Sequence, residues 1–248
     1  VSIIDALLDG LDYGAAVRDV RIGTHWTAVA LETAQEPRGG LASSFGALHD
    51  HHTGQPAVRD AGRLHRRSAS DLAKLVHSKS AAEASVGLAT INALLRVDTE
   101  HCVEVNAADV LLERGKGKRV AIVGHFPFLP RLERAAKELW VLELAPRGND
   151  LPASAAVEVI PQADVVGITG STLVNHTFDE LIPMCRPDAY VVVLGGSTPL
   201  SPRFFDYGVD AVAGTLVVDV EAVLSAVAQG ATFPQIAGKR LLTWMKEK

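Results

Sequence analysis

Residues 119–127 read Arg-Val-Ala-Ile-Val-Gly-His-Phe-Pro, and the reading of this stretch decides the fold. The apolar run Val120–Val123 is too short for a helix and is closed by Gly124 and Pro127. A run that is apolar at every position, not at alternate ones, suits a strand covered on both faces, as in parallel sheets. Similar runs follow at 139–144, 165–168 and 190–194. Helices fit between them, over 152–160 and 173–184. Strand and helix alternating in this way predict an α/β fold, an open parallel sheet with helices on both faces. Such sheets bind ligands beyond the carboxyl ends of their strands, where strand order reverses. The residues standing there are Gly124-His125-Phe126, Glu143, Thr169-Gly170-Ser171-Thr172 and Gly195-Gly196-Ser197-Thr198-Pro199.

Working outward, 209–213 reads as a short last strand, 219–228 as a helix with acids in its first turn, and 235–247 as a closing helix. Before the core strand, 107–113 reads as a helix and 115–118 as a turn. The first hundred residues have a different rhythm. A short amphipathic helix over 2–11 carries Ile3, Ile4, Leu7, Leu8 and Leu11 on one face. A hairpin over 18–22 and 25–31 turns at Gly23-Thr24, with Val20 and Ile22 alternating with Asp19 and Arg21, so that one sheet face is wet. A third strand follows at 40–44. No firm element is assigned over 45–67. A helix over 68–80 leads to Ser80-Ala-Ala-Glu83, a capping-box pattern that opens a helix running to about residue 97. Ala84, Ser85, Gly87, Ala89, Thr90 and Ala93 make that helix small-sided, suited to close packing. The expected organisation is an α+β domain over 1–104 and a parallel-sheet domain over 105–248.

The chain has 248 residues, 48% of them hydrophobic, enough for a substantial core. A net charge of −5 argues against general nucleic-acid affinity, and the one dense basic run, Arg63–Arg67, reads as a solvated loop. Cys102 and Cys185 form no paired motif, which is usage typical of a reducing compartment. Neither has a His or Lys/Arg partner in a nucleophile motif, apart from Arg186 beside Cys185, so both read as packing residues. The acidic start lacks a signal peptide's basic region, and no apolar run reaches membrane-spanning length. A soluble, cytoplasmic protein without membrane contact is expected.

The chemistry at the strand ends departs from the dinucleotide pattern. After Gly124 come His-Phe-Pro-Phe-Leu-Pro, so the second and third glycines of G-x-G-x-x-G are absent, which speaks against canonical NAD or NADP binding. Glu143, 19 residues past Gly124, still stands where a ribose-binding acid would, and a capped solvated acid is the plainer alternative. Thr169–Thr172 and Gly196–Thr198 are hydroxyl-rich turns, each read as preceding a helix. They suit an anion cradle, though Ser and Thr also serve simply as helix caps. His125 and His176, the latter beside Asn175, follow two strands that would be neighbours in the expected order. They are candidates for acid–base partners or for ligands to a divalent transition metal, and each alone also reads as a structural histidine. His49-Asp50-His51-His52 is a second candidate for zinc or nickel, beside its reading as an exposed polar loop.

Taken together these stretches resemble the heavy-metal-chelation family, prokaryotic proteins in which a Rossmann-like domain follows an enolase N-terminal-like domain. The resemblance is carried by His25-Trp-Thr-Ala-Val29, Gly39-Gly-Leu-Ala42, Gly87–Leu94, Val123–Pro127, Ala163–Thr172, and Gly196–Leu200 with Phe205 and Gly208. It covers nearly the whole chain. It implies a ligand site between the domains, with Thr27 and Asn92 contributed by the first. Three functions are thereby expected and compared. The first is a protein that handles an anionic small molecule or a metal. The second is an enzyme with a nucleotide-derived cofactor, for which Glu143 faces the crevice beside Gly124. The third is a binding or assembly module, such as a homodimer joined through the small-sided helix.

Overall fold

The computed structural model describes residues 1–44 and 57–247. The His49–His52 cluster therefore lies outside the described residues. Helix α1 (Ile3–Leu8) precedes an antiparallel meander of β1 (Ala16–Ile22), β2 (Trp26–Glu32) and β3 (Arg38–Ser43). Helices α2 (Ala69–Ala73) and α3 (Ala81–Leu94) follow. The second half contains β4 (Cys102–Val103), α4 (Ala107–Gly115), β5 (Arg119–Val123), α5 (Leu129–Ala135), β6 (Glu138–Glu143) and β7 (Leu151–Pro152). It continues with α6 (Ala156–Val159), β8 (Val165–Thr169), α7 (Phe178–Leu181), β9 (Tyr190–Leu194), β10 (Ala211–Val217), α8 (Val220–Ala228) and β11 (Lys239–Met245).

The large sheet has the order β4-β11-β10-β9-β8-β5-β6-β7. From β7 to β10 neighbouring strands are parallel, and β5 lies in the interior, with Val123 opposite Leu142 on one side and Ile168 on the other. Chain order reverses between β5 and β8, so the switch point lies there. Helices cover both faces, and the runs Val120–Val123 and Val165–Ile168 of the central strands are apolar on both. Val120 and Ile122 pack with Leu111 of α4 and Leu132 of α5. Ala121, Val166 and Val193 face the other way, into a core continuous with the first half.

The 235–247 stretch corrects the sequence reading. It is strand β11, antiparallel to β10, with Trp244 opposite Val212. Gly238 sits at φ 76 and Pro234 four residues before it, so a helix cannot run through. β10 is therefore not the last strand, and β4 joins the same sheet through Trp244 and Cys102, which brings residues before 105 into the second half's sheet. The expected helix over 173–184 is broken. Asn175 accepts hydrogen bonds from Thr177 N and Oγ1 at 3.2 and 2.7 Å, and His176 takes φ 62. This local Asn turn competes with the helix and leaves only α7 and short 3-10 turns.

The small-sided helix α3 is buried on nearly every side within its own chain. A Cβ at Gly40 of β3 would stand 2.1 Å from the Ala89 carbonyl oxygen, and one at Gly87 would stand 2.0 Å from Val76 N. The face expected to join a homodimer is thus consumed inside the molecule. Only half of the capping box forms: Ser80 Oγ accepts from Glu83 N at 3.4 Å, while the Glu83 carboxylate turns to Arg59 and Ser78. The meander's wet face is confined to β1. Ala28 and Ala30 of β2 are covered by Val220, Val223 and Val227 of α8, a helix of the second half. No described helix is long and apolar enough to cross a membrane.

Candidate functional site

The two halves meet over the carboxyl ends of β8 and β9 through hydroxyl groups. Ser43, at the end of β3, donates its N–H to Ser197 Oγ at 2.8 Å, and the two side chains lie 2.7 Å apart. Ser43 Oγ also stands 3.3 Å from Ser171 Oγ. Ser85 of α3 donates to the Ser43 carbonyl at 2.7 Å, and Asn92 Nδ2 donates to the carbonyls of Leu41 and Ser197 at 2.7 and 3.0 Å. Thr27 is fully buried beside them, with Oγ1 2.9 Å from Ser44 Oγ. Thr27 and Asn92 therefore help to build the joint and line neither of the two cavities beside it.

Two cavities open beside this joint. The larger, about 660 Å³, runs over Gly195, Gly196 and Ser197. Its polar side chains include Ser43, Thr169, Ser171, His125 and Arg131, and among the described residues no carboxylate lines it. Its walls hold four aromatic rings, those of Trp26, Phe126, Phe128 and Phe233. The smaller, about 430 Å³, is lined by Gly124, Glu143, Asn175, Thr172 and Glu180. His125, Phe126, Thr169 and Ser171 border both, so the cavities adjoin at the β5–β8 switch point.

The turns that frame these cavities are set by the strand ends. Gly124 and Gly195 take φ 105 and 119, a region open to glycine. A Cβ at Gly124 would also press to 3.0 Å from Thr169 Cβ. Thr169 Oγ1 accepts from Ser171 N at 3.3 Å, and its carbonyl accepts from Thr172 Oγ1 at 2.7 Å. Strand β8 leads into a 3-10 turn over Gly170–Leu173, and no helix starts directly after Gly195–Thr198. The expected pair of helix N-termini is thus absent. Gly170, Thr198 and Pro199 are buried outside both cavities, with Gly170 pressed against Thr198.

The two histidines go different ways. His125 borders both cavities, and its Nδ1 lies 3.1 Å from Asp150 Oδ2. The Asp150 side chain is 7% exposed and also accepts from Arg147 N. A carboxylate partner makes Nδ1 the protonated nitrogen, which leaves Nε2 with its lone pair. His176 lies outside both cavities, and its Nε2 stands 2.7 Å from the Val76 carbonyl across the joint, so it donates there. Among the described residues, no three His, Cys, Asp or Glu side chains gather closely enough to hold a metal ion. A resident metal bound by protein donors alone needs three or four, so the described donor set does not fit one. Burial pushes the Cys185 thiol up to about 11 and raises that of Cys102, where the nearby Asp98 adds to the effect. Neither has the makings of a thiolate nucleophile.

Asp150 and three of the four wall rings, Trp26, Phe128 and Phe233, are absent from the sequence-based site, which includes Phe126. Asp150 lies in a polar loop that reads as an ordinary turn, and Trp26 and Phe233 come from elements distant in the chain. Glu143 lines the smaller cavity together with Gly124, with its Oε2 accepting from Leu144 N at 3.2 Å.

Two family models match the chain, over residues 4–95 and 106–246, and both carry the description "Putative heavy-metal chelation". An uncharacterized protein of Methanocaldococcus jannaschii is 28% identical over 151 residues, which is 57% of this chain and 58% of that protein. The alignment thus spans less than two thirds of that relative's length. A crystal structure of a protein of unknown function from Desulfitobacterium hafniense DCB-2 superposes with a TM-score of 0.80 at 28% identity, over 98% of this chain and 97% of that one. A second, from Pyrococcus horikoshii, gives 0.82 at 19% identity, covers 98% of both chains, and shows the shared fold.

Proposed function

The chain belongs to the heavy-metal-chelation family, and on that premise we propose that it binds an anionic small molecule in the larger cavity between its two halves. A metal ion is then cargo, arriving as a complex of that molecule. The observation that carries this reading is the lining of the larger cavity: hydroxyls of Ser43, Thr169 and Ser171, the guanidinium of Arg131, which also reaches Asp109 at 3.2 Å, and no carboxylate among the described residues that line it. Buried carboxylates repel anions, whereas hydroxyl and guanidinium donors bind them. The described donor set leaves most of a metal's coordination to the ligand, with the Nε2 of His125 as one donor that the protein can add.

Thermal denaturation in the presence of phosphate, citrate and zinc citrate tests this. A bound anion should stabilise by about 2.7 kcal/mol at a hundredfold excess over its dissociation constant. Ser171→Ala and Arg131→Gln should each reduce the effect, and His125→Ala should reduce only the extra stabilisation that zinc adds. An anion mapped to the amino ends of the strands would defeat the reading.

A second reading has one observation of its own. Glu143 and Gly124 line the same smaller cavity, as a ribose-binding acid beside the first strand would. On that reading the molecule is nucleotide-derived. Glu143→Gln should then weaken binding of a mononucleotide and leave citrate unaffected.

A further inference from the structure

Aromatic residues make up only 5% of the chain, yet four rings line one cavity. They come as two pairs. Phe126 and Phe128 stack at 5.2 Å between centroids, with planes 19° apart. Trp26 and Phe233 stand 4.9 Å apart, tilted by 37°. All four are half-buried, so each keeps ring surface open to solvent.

Gly195 and Gly196 run between the pairs. A Cβ at Gly195 would lie 4.0 Å from the Phe126 ring, and one at Gly196 would lie 2.6 Å from both Trp26 and Phe233. At Gly196 no side chain can stand without entering the Trp26 and Phe233 rings, whereas Gly195 is only in van der Waals contact with Phe126. The result is a cavity with a backbone floor, aromatic walls drawn from both halves of the chain, and the hydroxyl groups of Ser43 and Ser171 in its lining. Trp26 comes from the meander and Phe233 from the loop before β11, so this lining is complete only once the halves have docked.

We infer that the ligand is a flat aromatic ring bearing carboxylates, an aromatic chelator whose ring lies over Gly195–Gly196 between the walls and whose acid groups reach Ser43, Ser171 and Arg131. This deepens the proposal of an anionic ligand and rests on it. Ring walls reward a flat π-system through stacking, and a puckered ring of equal charge gains less. Carboxylates on a heteroaromatic ring also supply the metal donors that the described protein side chains lack.

Calorimetric titration of the whole protein with isophthalate, its saturated analogue cis-cyclohexane-1,3-dicarboxylate and citrate separates the cases. The two ring compounds carry the same acid groups and the same charge at neutral pH, and one of them is flat. Isophthalate should bind about tenfold more tightly than the saturated compound. Trp26→Leu and Phe233→Leu should erase that preference, and Trp26→Phe, which restores a ring, should retain most of it. Melting temperatures of the variants guard against loss of fold. Equal affinity for the two ring compounds would overturn the flat-ring inference and leave the anion reading standing. Failure of isophthalate, its saturated analogue and citrate alike at millimolar concentration would overturn both.

Discussion

Glu83→Gln should cost about 3 kcal/mol of folding stability at neutral pH, and that cost should shrink in acid. Glu83 opens α3 and is 2% exposed. Its carboxylate accepts four hydrogen bonds: from Arg59 N at 2.8 Å, from Arg59 Nε and Nη2 at 2.9 Å each, and from Ser78 Oγ at 2.6 Å. Burial alone would raise its pKa. The bonds from Arg59 and Ser78 outweigh burial and bring it from 4.5 down to about 2. The gap between those values corresponds to about 3 kcal/mol favouring the folded state. Because the folded pKa is the depressed one, this contribution is complete well above 4.5 and is lost as pH falls towards 2. At about pH 3 roughly 2 kcal/mol of it should be gone. Urea denaturation of both proteins at neutral pH and near pH 3 reads this directly, since other titrating groups cancel in the difference. The difference should fall from about 3 to about 1 kcal/mol. A difference that stays constant with pH, or one under about 1 kcal/mol at neutral pH, would refute the argument. The Arg59 side chain is 65% exposed, so its own loss of a partner is relieved by water, and most of the cost belongs to the buried site.

Gly87→Ala should destabilise by about 3 kcal/mol or more, because its Cβ would meet the backbone of Val76 at 2.0 Å, where no side chain can swing aside; the urea midpoint reports it. Asn92→Ala removes the donor shared by the Leu41 and Ser197 carbonyls and should cost about 1–3 kcal/mol. It should also weaken citrate binding in a titration, because the Ser197 turn loses its tie to α3.

The parts of this molecule that can be read from sequence are those where one local pattern has one structural solution. An apolar run closed by glycine and proline, as at 120–127, fits a central strand, and the strand ends then mark the switch point. Asp219 before α8 is a similar case, since its side chain accepts from Ala222 N as an N-cap does. Elsewhere a distant partner decides. Lys239–Met245 has the composition of a helix or a strand, and the open edge of β10 makes it a strand. The meander's alternation promises a wet face, but α8 arrives from almost two hundred residues later and covers the part of it on β2, which leaves only β1 wet. Gly87 and Ala89 announce close packing without saying which partner takes it. Asp150 carries no signal at all, because its role depends on where His125 comes to lie.

The hydroxyl-rich turns illustrate the same division within the site, and burial sorts their residues. Thr172, Ser197 and Thr198 are 1–2% exposed. Ser197 is committed to Ser43 and Thr172 to the Thr169 carbonyl, so these groups hold the turns and join the halves. Thr169 and Ser171, half-buried, remain at the cavities. Joint and ligand floor thus alternate along the same few residues: Gly196 is floor and Ser197 joint, Ser171 is floor and Thr172 turn. A ligand that gains contacts with the floor necessarily stiffens the turns that carry the joint. On the proposed reading, ligand affinity and the docking of the two halves are therefore linked, and loosening Ser43 from Ser197 should also weaken ligand binding.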